Sequence, residues 1–221
     1  MMLCFMRLAS LLLLLSAVSQ PLAAQTLANS PHTKLFAALL QCDASWFTAL
    51  ADNAGQLDEL PALTRSAQGV SYLAVPDRRD AANDGQSIAL VPPLRVVGLA
   101  FSEFIDEVNV FETQPEASYY WGLNTEAPLA RVLPLVQALV GTPKLTADGG
   151  TWARLSQFAG GRWQFVADHA ALKGKPASLP ERVLIVETHE GGGTRVVCGI
   201  QGAAIPRAEL EKLRPDLQGV K

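Results

Sequence analysis

The stretch that decides the fold runs from Arg182 to Gln201 and reads RVLIVETHEGGGTRVVCGIQ. Two β-branched, apolar segments flank the turn residues 189–193, which is typical of two strands joined by a hairpin. The first segment is apolar at every position over 183–186, so it should lie centrally in a sheet with cover on both faces. A second pair of strands is predicted upstream, over 152–167.

Two principal helices are predicted, over about 33–53 and about 126–140, because apolar residues recur there at steps of three and four. Pro134 lies inside the second pattern, where it would kink the helix or delay its start. A short charged helix is expected near the C-terminus. Strands fill the intervals between these helices, so the order predicts an α+β fold built on a mainly antiparallel sheet.

The first 24 residues have the order of a secretory signal peptide. Arg7 precedes an apolar run of about eleven residues, shorter than the roughly 20 that span a membrane. Cleavage is expected after Ala24, with Ala28 as the alternative, so the mature protein should be soluble and either periplasmic or secreted.

The mature chain is expected to contain one α+β domain, over residues 33–215. A flexible N-terminus, 25–32, should precede this domain, and a tail, 216–221, should follow it. The alternation of helices and strands also permits a division into two halves, 33–124 and 125–215. No oligomeric state is indicated.

Two cysteines would remain after cleavage, Cys42 and Cys198. An isolated pair in an oxidising compartment favours a disulfide, here between the first helix and the last predicted strand. Two separately buried thiols are the alternative. The distance in sequence between Cys42 and Cys198 excludes a redox-active CxxC pair. The three histidines lack the spacing of zinc ligands.

The composition argues against several functional classes. The formal net charge is −3, and nucleic-acid binders usually carry a strong basic excess. The common signatures of serine hydrolases, zinc proteases, P-loop proteins and dinucleotide-binding folds do not occur in the sequence. The sequence therefore predicts no cofactor, no metal and no nucleic-acid partner.

One acidic residue breaks the apolar pattern of the first helix. Asp43 falls within the arc of apolar side chains, which makes it a candidate buried acid. A buried carboxylate needs partners or a raised pKa. Asp43 could therefore be a site carboxylate, a structural acid that bonds a backbone group or an arginine, or an acid at the rim of the packed face.

A candidate binding surface is predicted in the segment 96–130, which contains no lysine or arginine. Its acids include Glu107 and Glu112. Tyr120 and Trp121 follow in a predicted strand, where neighbours point to opposite faces, so one aromatic should be exposed whichever face is outside. Exposed aromatics bind sugars or a protein partner, and carboxylates beside them suit a basic partner. The alternatives are that the aromatics pack within the sheet and that the acids form a solvated face.

These observations favour a non-catalytic exported protein that binds a protein partner, such as an inhibitor, an immunity-type protector or an envelope accessory factor. An exported hydrolase with a carboxylate- or histidine-based site is the first alternative, and it requires Asp43, His169 or His189 to converge with other polar groups in one pocket. A structural envelope component is the second alternative.

Overall fold

A computed structural model of the protein describes residues 30–56, 60, 63–66, 68–80, 85–110, 117–167, 178–189 and 191–218. The signal segment and its cleavage sites lie outside these residues. The described helices are α1 (Pro31–Leu39), α2 (Ser45–Asp52), α3 (Leu129–Leu139) and α4 (Arg207–Leu213). The described strands are β1 (Leu63–Arg65), β2 (Ser71–Leu73), β3 (Ser87–Val96), β4 (Leu99–Val110), β5 (Ala117–Thr125), β6 (Thr146–Asp148), β7 (Thr151–Ala159), β8 (Arg162–Val166), β9 (Pro180–Thr188) and β10 (Thr194–Gly202).

Eight of these strands form one antiparallel sheet in the order β3-β4-β5-β10-β9-β7, and β6 and β8 share the far edge of β7. β1 and β2 form a separate two-stranded sheet. The predicted α+β class and mainly antiparallel sheet are confirmed. β9 lies between β10 and β7, and its apolar residues are buried on both faces, with Val183 5% exposed and Leu184 1% exposed.

The described helices pack on one face of this sheet, which we call the inner face. It carries Trp121, Leu184, Val196 and Cys198, all at most 1% exposed. One continuous core joins these residues to the apolar sides of the helices, from Leu35 in α1 to Leu217 after α4. Apolar burial on this one face is therefore what holds the helices to the sheet.

The predicted single helix over 33–53 is wrong, because the chain forms two helices with a turn at residues 40–44. Cys42 has a φ of 55°, a left-handed conformation that no α-helix continues through. Asp43 Oδ1 then accepts a hydrogen bond from the Ser45 amide at 2.9 Å and starts α2. The helical spacing nevertheless identified the core residues, since both helices bury their apolar sides in the same core.

The predicted disulfide is confirmed. Cys42 and Cys198 are bonded, with Cα atoms 5.2 Å apart, and they tie the turn between α1 and α2 to the middle of the sheet. The bond closes a loop with a sequence separation of 156. In the chain-entropy model, a loop of that length corresponds to an upper limit of about 5 kcal/mol of stabilisation.

A buried arginine holds the ends of two helices. Arg154 projects from β7 to the inner face, where it donates to the carbonyl of Leu40 at 2.6 Å and to that of Val140 at 2.8 Å. These carbonyls belong to the C-terminal caps of α1 and α3. Helix C-termini leave carbonyls unsatisfied and favour positive charge, so Arg154 serves both helices at once.

Pro134 lies inside α3, which runs from Leu129 to Leu139. Two further boundaries differ from expectation. Pro31 begins α1, so the segment expected to be a flexible N-terminus already includes helix. Asp216 and Leu217 are 6% and 5% exposed, so the expected tail contains residues of the folded core. Apolar periodicity could not indicate this, since the burial of Asp216 depends on distant charges.

Candidate functional site

The sheet face opposite the helices, the outer face, carries two of the predicted surface residues. Glu107 of β4 and Tyr120 of β5 are direct partners in the antiparallel register, so their side chains are neighbours on one face. No described helix packs over them. This face is formed by alternate residues of β4, β5, β10, β9 and β7.

The prediction that Trp121 lies on the binding surface is wrong. Trp121 points to the inner face, is fully buried, and lies beneath the guanidinium of Arg214, whose Cζ is 4.7 Å from the ring centroid. Alternation along β5 requires that only one of Tyr120 and Trp121 faces outward, and the side is decided by where the helices pack. Glu112 lies outside the described residues.

A ladder of hydrogen bonds crosses the outer face. Tyr120 Oη donates to Gln201 Oε1 at 2.6 Å, and Gln201 Nε2 donates to Glu181 Oε2 at 3.2 Å. Gln157 Nε2 donates to the other oxygen, Glu181 Oε1, at 3.1 Å. These four side chains come from β5, β10, β9 and β7, so the ladder joins four adjacent strands and fixes their outward side chains.

Tyr120 is also positioned by Gly199, which has no side chain. Its ring lies over Gly199 of β10, where a Cβ atom would come within 2.7 Å of the ring and 2.9 Å of Val183 Cγ1. Only glycine leaves space for a ring at this distance. The tyrosine therefore lies flat along the sheet rather than standing out from it, and only part of it is exposed.

The outer face is acidic over its five central strands. Its four carboxylates belong to Glu103, Glu107, Glu181 and Glu187, and its one guanidinium to Arg195. Arg195 Nη1 lies 3.4 Å from Glu107 Oε1, and Asn124 Nδ2 donates to Glu103 Oε2 at 2.5 Å. The remaining carboxylates have neutral partners, so net negative charge is left on this face.

Burial shifts the pKa values of the two neighbouring residues. It raises the pKa of Glu107; Arg195 lowers that pKa, whereas the nearby Asp106 and Glu103 carboxylates raise it further. Burial also raises the pKa of Tyr120. The tyrosine thus remains a neutral hydrogen-bond donor.

Asp43 is not a buried acid. Its side chain is 34% exposed, and Oδ2 lies 3.9 Å from Arg182 Nη1. It lines a shallow depression of about 610 Å³ beside α2, together with Lys34, Asp52 and Lys212. Its hydrogen bond to the Ser45 amide makes it a structural acid at the start of a helix.

Two of the three residues named in the hydrolase alternative, Asp43 and His189, lie at opposite ends of β9. Asp43 lies beside Arg182 at the start of β9, whereas His189 follows the end of the same strand. Seven residues of extended chain separate Arg182 from His189, which corresponds to about 20 Å at the rise of a β-strand. His169 lies outside the described residues.

Sequence reasoning missed a buried ion cluster, formed by Arg78, Asp106, Arg214 and Asp216. Arg214 Nη2 lies 2.9 Å from Asp106 Oδ1 and 2.8 Å from Asp216 Oδ2. Arg78 reaches the same two carboxylates, at 2.7 and 2.8 Å. One feature of the sequence could have indicated this cluster. Asp106 shares the inner side of β4 with Phe104 and Val108, so it interrupts the alternation of apolar residues.

The charges of the cluster shift the pKa values of its two carboxyl groups. Burial is the largest single influence on Asp216 and raises its pKa, but the charge and hydrogen bonds of Arg214 together with the charge of Arg78 outweigh burial, so the net shift is downward. For Asp106, burial and the neighbouring Asp216 carboxylate raise the pKa, the two guanidiniums lower it, and the net shift is upward. Two positive and two negative groups balance, so the cluster joins β4, the loop before β3 and the segment after α4 without leaving a net buried charge.

Among the described residues, no three His, Cys, Asp or Glu side chains are grouped to hold a metal ion. The longest described helix, α3, has 11 residues, and none in the described part of the chain is long and apolar enough to cross a membrane.

No family model, curated protein or solved structure matches this chain. The fold and its surfaces therefore supply the argument for function.

Proposed function

We propose that this protein is a non-catalytic binding protein that recognises a basic protein partner through the outer face of its sheet. The observation that carries the proposal is the placement of Tyr120 beside Glu107 on the face where four carboxylates accompany one guanidinium. An exported protein in an oxidising compartment accords with the disulfide between Cys42 and Cys198.

The chemistry of the outer face suits such a partner. Carboxylates at a protein surface attract lysine and arginine side chains over a distance and raise the rate of association. A tyrosine supplies apolar contact area with few rotatable bonds, which is why tyrosine is common at the centres of interfaces. The ladder from Tyr120 to Gln157 holds this surface in one arrangement before the partner arrives, so less conformational entropy is lost on binding.

Site-specific photo-crosslinking tests the proposal. A photoreactive amino acid replaces Ser118, which lies on the outer face two residues before Tyr120, or Asp52, which is exposed on α2 on the helix side. Each protein is expressed with its leader, irradiated in cells, and its adducts are identified by mass spectrometry. We expect a basic protein to be captured from position 118 and not from position 52.

Charge variants provide the second arm of the experiment. Glu107→Lys should abolish the adduct from position 118. Glu107→Gln should weaken this adduct, and it removes the negative charge without placing a second positive charge beside Arg195. Asp52→Lys makes the same charge reversal on the helix side and should leave the adduct unchanged. The proposal fails if position 118 captures no defined partner, if position 52 captures the same one, or if Glu107→Lys has no effect.

A further inference from the structure

A cleft of about 420 Å³ lies on the other side of the molecule from Tyr120, between the loop after β2, the ends of β4 and β5, and the segment that includes Arg207 and Leu217. Its volume is in the range of small-molecule sites, about 300–1,000 Å³. Tyr119 lines this cleft, and it points away from Tyr120 because the two are neighbours in β5.

One part of the cleft wall is apolar. Val75, Val108 and Leu217 line it together with the rings of Tyr72 and Tyr119. Such walls suit an aliphatic or aromatic body, because transferring apolar surface out of water is favourable. The walls alone would accept many molecules, so any selectivity must come from the polar groups.

Arg78 is the polar group best prepared to bind a ligand. Its Nε lies 2.7 Å from Asp106 Oδ2 and its Nη2 lies 2.8 Å from Asp216 Oδ2. Its own carbonyl accepts hydrogen bonds from the Val108 amide and from Gln86 Nε2. Both the backbone and the guanidinium of Arg78 are therefore held in place before a ligand enters.

This anchoring leaves hydrogen-bond donors of Arg78 available. A guanidinium has five N–H groups, and the two contacts with aspartates use one on Nε and one on Nη2. No described residue accepts from Nη1, and the side chain is 19% exposed where it lines the cleft. A fixed guanidinium with free N–H groups is well suited to a carboxylate.

Three arginines and two aspartates line the cleft. Arg207 is already paired with Glu211, and Asp216 is paired with the two arginines of the buried cluster. Asp77 Oδ1 accepts from the Arg79 amide, and this bond leaves the carboxylate charged. The exposed side chain of Arg79 has no partner among the described residues, so a positive group at the rim remains for a ligand.

We infer that this cleft binds a carboxylate attached to an apolar body, with Arg78 receiving the carboxylate and the two tyrosines flanking the body. Either a free organic acid or the C-terminal carboxylate of a peptide presents this chemistry. The site is separate from the outer face, so the inference goes beyond the proposed function and does not depend on it.

Isothermal titration of the purified mature protein with matched pairs of probes tests the inference. The first pair is 4-phenylbutyrate and its neutral analogue 4-phenylbutanol. The second pair is acetyl-Ala-Ala-Phe with a free C-terminal carboxylate and the same peptide as its amide. We expect at least one carboxylate to bind about tenfold or more tightly than its neutral partner, since charge-assisted hydrogen bonds would be lost. The pair that shows the difference identifies the source of the carboxylate.

Variants then assign the binding to the cleft. Arg78→Lys keeps the charge beside Asp106 and Asp216 but removes the planar donors, and it should weaken carboxylate binding by about tenfold. Arg79→Gln changes only an exposed side chain and should weaken binding severalfold, which covers the case in which the Arg78 variant does not fold. Arg131→Gln removes an equally exposed charge on α3 and should have no effect.

The inference is overturned if neither carboxylate binds at millimolar concentration, or if each neutral analogue binds as well as its acid. Binding that is unchanged in both Arg78→Lys and Arg79→Gln would also overturn it. Loss of binding in Arg131→Gln to the same extent would indicate general charge attraction rather than this cleft.

Discussion

At the scale of single residues, space and charge around a few side chains shape the outer face. Gly199 leaves room for the ring of Tyr120, and that ring covers the strand that would otherwise lack a side chain at this point. Glu107, next to Tyr120 across the strands, is partly buried, and Arg195 is its one oppositely charged neighbour in the described part of the chain. The roles of Gly199 and Glu107 can each be tested by a single substitution.

Gly199→Ala should destabilise the protein by about 1–3 kcal/mol, because the new methyl group would meet the Tyr120 ring and Val183 in a packed region. Urea denaturation followed by circular dichroism measures the change. Gly55→Ala is the matched control, since its Cβ would meet no atom within 4 Å, and it should stay within about 0.5 kcal/mol of wild type. Equal effects of the two substitutions would contradict the close approach at Gly199.

Glu107→Gln should change how stability depends on pH. Burial raises the pKa of Glu107 above its ordinary value of 4.5, so the folded state binds its proton more tightly than the unfolded state. Glu107 therefore lowers the free energy of unfolding progressively as pH rises from about 4.5 through its folded pKa. The glutamine variant should lose this decline and gain less than about 1 kcal/mol at pH 7.

Urea denaturation at intervals between pH 4 and pH 7 measures this slope. Asp52→Asn, which removes an exposed carboxylate, should retain the slope of the wild type. A Glu107→Gln variant that declines as steeply as the wild type would show that this carboxylate is not responsible.

At the scale of elements, the sequence predicted the C-terminal strand pairs better than it predicted the limits of the helices. The hairpin of β9 and β10 was confirmed, because strong alternation and a glycine-rich turn are local signals. The first helix was predicted as one unit, whereas it is divided at Cys42. That division depends on a disulfide to a residue distant in sequence and on Arg154, which joins two helix ends.

Arg154→Met should cost about 2–4 kcal/mol, because methionine fills much of the volume but leaves the Leu40 and Val140 carbonyls unsatisfied in a buried place. Thermal and urea denaturation measure the loss. Arg162→Met, at an exposed position of β8, is the control and should have little effect. A similar small effect of both substitutions would mean that water satisfies the two carbonyls instead.

At the scale of the whole molecule, a single core unites both ends of the described chain. β5 and β10, which belong to the two halves suggested by the order of elements, pair along nearly their full length. Leu35 and Leu217 lie in the same core. The disulfide reinforces this arrangement, because it joins the turn after α1 to β10 in the middle of the sheet.

Replacing both cysteines, as Cys42→Ala with Cys198→Ala, should lower the free energy of unfolding by about 2–5 kcal/mol. The cause is the long loop that the bond closes, which restricts the unfolded chain. Urea denaturation of the double variant, and of wild type with and without a reducing agent, measures the effect. Identical stability with and without the bond would contradict this role.

By itself, the sequence determined the α+β class, the central strand pair and the disulfide partners, because turn residues, apolar periodicity and the number of cysteines are properties of the chain. Only the tertiary structure decided which of Tyr120 and Trp121 is exposed, since alternation specifies opposite faces but not which face the helices cover. It also brought Arg78, Asp106 and Asp216 together across more than a hundred residues. Charges that far apart in sequence become partners only when packing removes water from between them.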